Sequence, residues 1–180
     1  MPPSRFLQKG YKARKYKENE DFKGMIKILF VCHGNICRSP MAEFVLKDMI
    51  KERHLEDYIY VESAATSSEE LGNPVHPGTR KKLAEVGISV AGKCARQIRT
   101  DDYEKFDYLI GMDQRNVQNM YRVFGKDEKH KVCRLLDYTE NARDIADPWY
   151  SGDFDATYRD VFDGCVAFLE EVLNRANEEK

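Results

Sequence analysis

Residues 32–39 read Cys-His-Gly-Asn-Ile-Cys-Arg-Ser, which places a thiol, a guanidinium and a hydroxyl within one short stretch. A free thiol ionises near pH ~8.5, and a helix N-terminus or a nearby cation lowers that to ~3.5–7.5. Arg38 supplies the cation, and its planar fork matches two oxygens of a phosphate group. Gly34 and Asn35 are residue types that tolerate left-handed backbone, which lets successive N–H groups converge into an anion-binding nest. A helix starting at the end of the stretch adds its unpaired N–H groups and the positive end of its dipole. The expectation is a tetrahedral dianion held by His33, Gly34, Asn35, Ile36, Cys37 and Arg38 above a Cys32 thiolate. The Ser39 hydroxyl, close in sequence, can donate to the sulfur and make it a better leaving group.

The flanking residues are those needed to hold such a stretch in place. "IKILFV" (26–31) is a short continuous apolar run, as in a strand buried on both faces. After it, Ser39 is expected to cap a helix with Pro40 at its first position, and Ala42, Val45, Leu46, Met49 and Ile50 recur at helical spacing. Further strands are expected at 58–64, 107–112 and 131–136. A helix is expected over 77–86, stopped by Gly87, and another after an Asp113 cap, ending at Gly125. Tyr158, Val161, Phe162, Cys165, Val166, Leu169, Val172 and Leu173 mark one apolar face of a final helix. This alternation predicts a three-layer α/β fold: a central four-stranded parallel sheet with helices on both faces. Ligands of such sheets bind beyond the carboxyl ends of the strands, where the strand order reverses. Cys32 is at such an end.

The chain has 180 residues, of which 42% are hydrophobic and 33% charged, with a formal net charge of −2. That composition fits one soluble domain and gives no overall pull toward nucleic acid. No apolar run approaches the ~18 residues of a membrane span, and no signal peptide is expected. Residues 1–24 differ from the rest: seven Lys/Arg against three Asp/Glu, a balance of +4 that leaves −6 for the remainder. They read as a flexible basic arm, native or appended, before a single domain over 25–176. The five cysteines include no C-x-x-C pair, so a reducing, cytoplasmic setting is expected, with Cys133 and Cys165 as small buried hydrophobes. A monomer is expected. His54, His76 and His130 show no partner in the sequence and are assigned nothing.

Two other readings of residues 32–39 fail on composition. The nucleotide-binding pattern G-x-x-x-x-G-K-[ST] is absent, with its lysine. A zinc site from Cys32, His33 and Cys37 lacks a fourth ligand and the usual spacing. No metal and no cofactor are therefore expected.

"VCHGNICRSP" resembles the signature loop of the low-molecular-weight protein tyrosine phosphatases, Cys-x5-Arg-Ser after a hydrophobic strand. Similarity continues over residues 26–173, through "SAATS" (63–67), "GNPVHPG" (72–78), "ARQI" (95–98), "FDYLIGMD" (106–113) and "DPWY" (147–150). The resemblance implies a flavodoxin-like strand order 2-1-3-4. It also implies metal-independent hydrolysis of phosphotyrosine, in a protein or a small aryl phosphate, through a cysteinyl-phosphate. An Asp-Pro pair by itself reads as a turn; the resemblance makes Asp147 the general acid, beside Cys32 and Arg38, with Trp149 and Tyr150 as cleft walls. It further implies that Cys37 can form a protective disulfide with Cys32 under oxidation.

Three positions depart from common members. His33 stands where a smaller or aliphatic residue is usual. Glu69 replaces an aromatic cleft residue, and Lys93 a histidine that supports the loop asparagine. An acid at position 69 should weaken acidic peptides. The rival readings are a protein-arginine phosphatase, an arsenate reductase and a non-catalytic phosphotyrosine-binding module. Ile36 counts against the first, whose loop tends to carry threonine there. "GMDQRNVQNM" lacks the relay cysteines of the second. A pure binder, the third, has no use for Asp147.

Overall fold

A computed structural model describes residues 22–178. Most of the basic segment 1–24 lies outside them; of its last residues, Phe22 stacks on Tyr58 with ring centroids 4.8 Å apart. The first strand, β1 (Ile26–Cys32), shows why its sequence is continuously apolar: Ile28, Leu29, Phe30 and Val31 are all fully buried. Side chains alternate across a strand, so the two faces enter two different cores. Ile28, Phe30 and Cys32 join one apolar cluster with Met41, Leu46, Phe168 and Leu169. Leu29 and Val31 join the other, with Tyr103, Phe106, Val117 and Met120.

These clusters define three layers. One face of the sheet is covered by α1 (Arg38–Glu52) and the 25-residue C-terminal helix α6 (Phe154–Glu178). The other is covered by the single turn α3 (Asp102–Lys105) and by α4 (Gln114–Phe124). Between them lie β2 (Ile59–Ala65), β1, β3 (Tyr108–Gly111) and β4 (Val132–Arg134), all parallel, in the order β2-β1-β3-β4. This is the expected order 2-1-3-4. Cys32 pairs with Ala65, and Val31 with Gly111, so Cys32 ends β1 where the winding reverses toward β3. The remaining helices are α2 (Pro77–Glu85) and α5 (Pro148–Ser151).

Two expectations need correction. Helix α1 starts at Arg38, after Cys37 as N-cap, and no side chain caps it. Ser39 lies inside the helix because its hydroxyl is engaged by Cys32 and Asn35. The strand expected at 131–136 stops at Arg134 and becomes a 3₁₀ turn, Leu135–Tyr138. There the Asp137 carboxylate accepts from the Arg134 backbone N–H at 3.0 Å and bends the chain, so that Leu135 and Leu136 are buried beneath α6.

Candidate active site

The 32–39 loop is shaped by what holds its carbonyls. Cys32 O accepts from Thr66 N (2.9 Å), His33 O from Ser67 N (3.0 Å) and Ile36 O from His76 N (2.8 Å). Cys37 O accepts from the buried Thr79 hydroxyl at 3.2 Å. With the carbonyls tied outward, N–H groups are left for the inside of the loop. Asn35 supplies the turn this needs, at φ +56° in the left-handed region. Gly34 admits a close neighbour: a Cβ there would stand 3.3 Å from Glu70 Cγ.

The Cys32 sulfur is met by the Ser39 hydroxyl (3.0 Å) and by the Asn35 N–H (3.3 Å). Behind it runs a buried polar chain with a fixed direction. Asn35 Nδ2 donates to Ser39 Oγ (2.9 Å) and to Ser63 Oγ (2.8 Å), while Asn35 Oδ1 accepts from Arg96 N (3.1 Å). The Ser63 hydroxyl donates to the Glu43 carboxylate. Because Ser39 Oγ accepts from Asn35, its own hydrogen is free to point at the sulfur, where it stabilises negative charge. Lys93 belongs to this chain: its Nζ lies 3.1 Å from Glu43 Oε2 and donates to Ser63 O at 3.0 Å. It therefore supports Asn35 through Glu43 and Ser63.

Arg38 is 3% exposed and spans the site. Its Nη1 donates to Asp113 Oδ2 (2.6 Å) and Ile145 O (3.0 Å), and its Nη2 to Asp147 Oδ2 (3.2 Å). Burial opposes its charge, but the Cys32 sulfur, the Asp113 hydrogen bond and Asp147 outweigh that and hold the guanidinium above its ordinary range. Its Nε is one of two buried side-chain N/O atoms without a partner among the described residues, the other being Thr66 Oγ1. A buried donor left unpaired is costly, and an anion oxygen would satisfy it. Cys37 contrasts with Cys32. Burial, then the Cys32 sulfur and Asp147, push its thiol up to about 12. Both cysteines are free.

Asp147 sits at the N-cap of α5, where Oδ1 accepts from Trp149 N (3.1 Å) and Oδ2 faces Arg38. The stretch read from sequence as a loop with a turn is thus one helical turn, closed by Gly152 at φ +69°. The cleft is lined by Cys32, His33, Gly34, Ile36, Cys37, Arg38, Glu69, Asp147, Trp149 and Tyr150, and also by Glu70. Among the residues singled out from the sequence, Asn35 and Ser39 stand outside that lining, behind the sulfur. Sequence reasoning missed Glu70, Glu43, Ser63 and the second role of Asp113. Asp113 was visible as a helix cap, and its Oδ1 does accept from Asn116 N at 2.7 Å; nothing local showed that Oδ2 turns to Arg38. Glu43 is buried within α1, which nothing in its local sequence showed.

The profile of the family described as low molecular weight phosphotyrosine protein phosphatase matches residues 27–179. The low molecular weight protein-tyrosine-phosphatase YfkJ of Bacillus subtilis is 40% identical over 150 residues, covering 82% of this chain and 96% of its own. The crystal structure of YfkJ superposes with a TM-score of 0.82 at 39% identity, covering 84% of this chain and 97% of that one. The low molecular weight protein tyrosine phosphatase SP-PTP of Streptococcus pyogenes gives a TM-score of 0.73 at 41% identity, over 82% of this chain and 93% of that one. A drosophila arginine phosphatase gives 0.74 at 32% identity, over 82% of this chain and 98% of that one. A match that takes in the chain from the second residue of β1 through α6 places it in the low molecular weight phosphotyrosine protein phosphatase family.

Proposed function

We propose that residues 25–176 form a protein tyrosine phosphatase that cleaves phosphotyrosine through a cysteinyl-phosphate. One observation carries the assignment of roles: a sulfur at the switch point receives two hydrogen bonds and shares one cleft with a buried arginine that has an unpaired donor. The loop N–H groups and Arg38 bind the phosphoryl oxygens, and Cys32 attacks phosphorus in line. The S–P bond forms as the P–O bond to the leaving group breaks. Asp147 protonates the departing phenolate, and its carboxylate then activates the water that hydrolyses the S–P bond. The Ser39 hydroxyl steadies the sulfur as it leaves.

Asp113 keeps Arg38 in place from the far side. Trp149 and Tyr150, 56% and 85% exposed, offer aromatic surface to the ring of the substrate. The substrate is a phosphotyrosine protein or an aryl phosphate. No helix among the described residues is long and apolar enough to cross a membrane. The need for a reduced Cys32 supports work in the cytoplasm. The test is turnover of phosphotyrosine, phosphoserine and phosphoarginine peptides side by side in EDTA. Phosphotyrosine is expected to be cleaved at least tenfold faster than either other peptide. A faster phosphoarginine reaction would move the chain to the arginine-specific branch represented by the drosophila neighbour.

A further inference from the structure

The cleft is polarised along its depth. Its cation, Arg38, is buried at the floor, whereas Glu69 stands at the mouth with 71% of its side chain exposed. Glu70 lies over Gly34 and lines the same opening. Neither rim carboxylate belongs to the machinery described above. Glu69 Oε2 lies 3.0 Å from His33 Nε2, and Glu70 accepts from the neutral Asn73 amide at 2.6 Å. The charge of Glu70 is felt inside the loop, where it is among the groups raising the Cys37 thiol. The unpaired, buried Nε of Arg38 marks where the phosphate goes. A phosphotyrosine seated there brings the peptide on either side of it to the mouth, against Glu69 and Glu70.

We infer that Glu69 and Glu70 are specificity-determining residues, which select phosphotyrosine flanked by Lys or Arg and disfavour phosphotyrosine flanked by Asp or Glu. The inference rests on the phosphotyrosine reading and adds the peptide class. Charges at a solvent-exposed rim act mainly on encounter and little on the chemical step, and they are screened beyond ~10 Å at 0.1 M salt. The preference should therefore appear in kcat/KM, leave kcat nearly level, and shrink with ionic strength.

The experiment uses the full chain and three phosphotyrosine peptides identical except for Lys, Ala or Glu on both sides of the phosphotyrosine. At low ionic strength the Lys peptide should exceed the Glu peptide about tenfold in kcat/KM. That ratio should fall toward one in half-molar salt, and in Glu69→Gln/Glu70→Gln measured at low salt. If the double substitution does not fold, Glu69→Gln and Glu70→Gln are measured singly, each being expected to lower the ratio at low salt. Equal kcat/KM for all three peptides overturns the inference and leaves the phosphotyrosine reading standing. A Lys preference that survives in the double variant overturns the assignment to these two residues. No turnover of any of the three overturns the phosphotyrosine reading along with it.

Discussion

The 32–39 loop and the rim formed by residues 69–70 and 147–150 face one cleft, and they are built in opposite ways. In the loop, Asn35, Arg38 and Ser39 are 1%, 3% and 0% exposed, and each is bonded on several sides. In the rim, Tyr150 is 85% exposed and Glu69 is held by one exposed histidine. Buried groups held by several bonds meet developing charge without reorganising, which is what electrostatic stabilisation of a transition state requires. Exposed groups are cheap to exchange and are screened by salt, so they suit recognition. The two cysteines of the loop repeat the contrast at smaller scale. Cys32 receives hydrogen bonds at its sulfur, while Cys37 is desolvated and kept as a thiol far above neutrality.

The sharpest way to break this division is at the sulfur. Cys32→Ser should lower kcat by about 10⁴-fold or more, since a serine hydroxyl here has no base to ionise it. Phosphate binding, read by calorimetry, should persist because the nest and Arg38 remain. Loss of binding together with turnover would mean that the sulfur, and not the backbone, shapes the loop. Asp147→Ala should come next, at about 10²–10³-fold for phenols that leave poorly and much less for p-nitrophenol. A loss independent of leaving-group acidity would remove Asp147 as the proton donor. It would leave the carboxylate as a restraint on Arg38.

How much of this was legible in the sequence follows the same line. The loop could be read because its chemistry is local: Cys32, Gly34, Asn35, Arg38 and Ser39 lie within eight residues, and strand and helix patterns bracket them. The parallel sheet followed from the same alternation, and its strand order from the family likeness. What stayed hidden was long-range. Glu43 reaches Ser63 across 20 positions, and Asp113 reaches Arg38 across 75. No periodicity encodes which way a side chain turns after the chain has folded back. Ser39 was misread for a related reason. A serine before a helical pattern is ordinarily a cap, and the sulfur at the end of β1 and the Asn35 amide draw this one inward.

Lys93 tests whether the hidden chain is structural or chemical. The Glu43 carboxylate, 3% exposed, is held by Ser63, by Lys93 and by Lys47 Nζ at 2.7 Å. Removing one partner of a buried charge is strongly destabilising, and here Lys47 remains, so Lys93→Met should cost about 1–3 kcal/mol in urea unfolding. If Ser63 and Asn35 keep their bonds, kcat should fall only a few-fold. A loss of 10²-fold or more with stability unchanged would show that Lys93 acts on the sulfur and not on the fold.

The smallest effect is expected at His76, where loop and rim meet. Its backbone N–H donates to Ile36 O (2.8 Å), and its Nδ1 accepts from Gly78 N at 3.0 Å as the cap of α2. Its ring stacks on Phe154 with centroids 5.2 Å apart, and meets Trp149 edge-on at 5.6 Å. Trp149 is more than half exposed, and this edge contact is one that holds its ring. His76→Asn keeps a capping side chain and deletes the ring. An aromatic pair is worth ~0.5–1.5 kcal/mol, so KM for an aryl phosphate should rise roughly two- to tenfold with kcat retained. His76→Phe keeps the ring and deletes the cap, so it should cost about 1 kcal/mol of stability with KM little changed. The two variants thus separate rim from scaffold at a single position. Equal KM shifts in both would mean that the wall is held by the α2 cap and not by the ring.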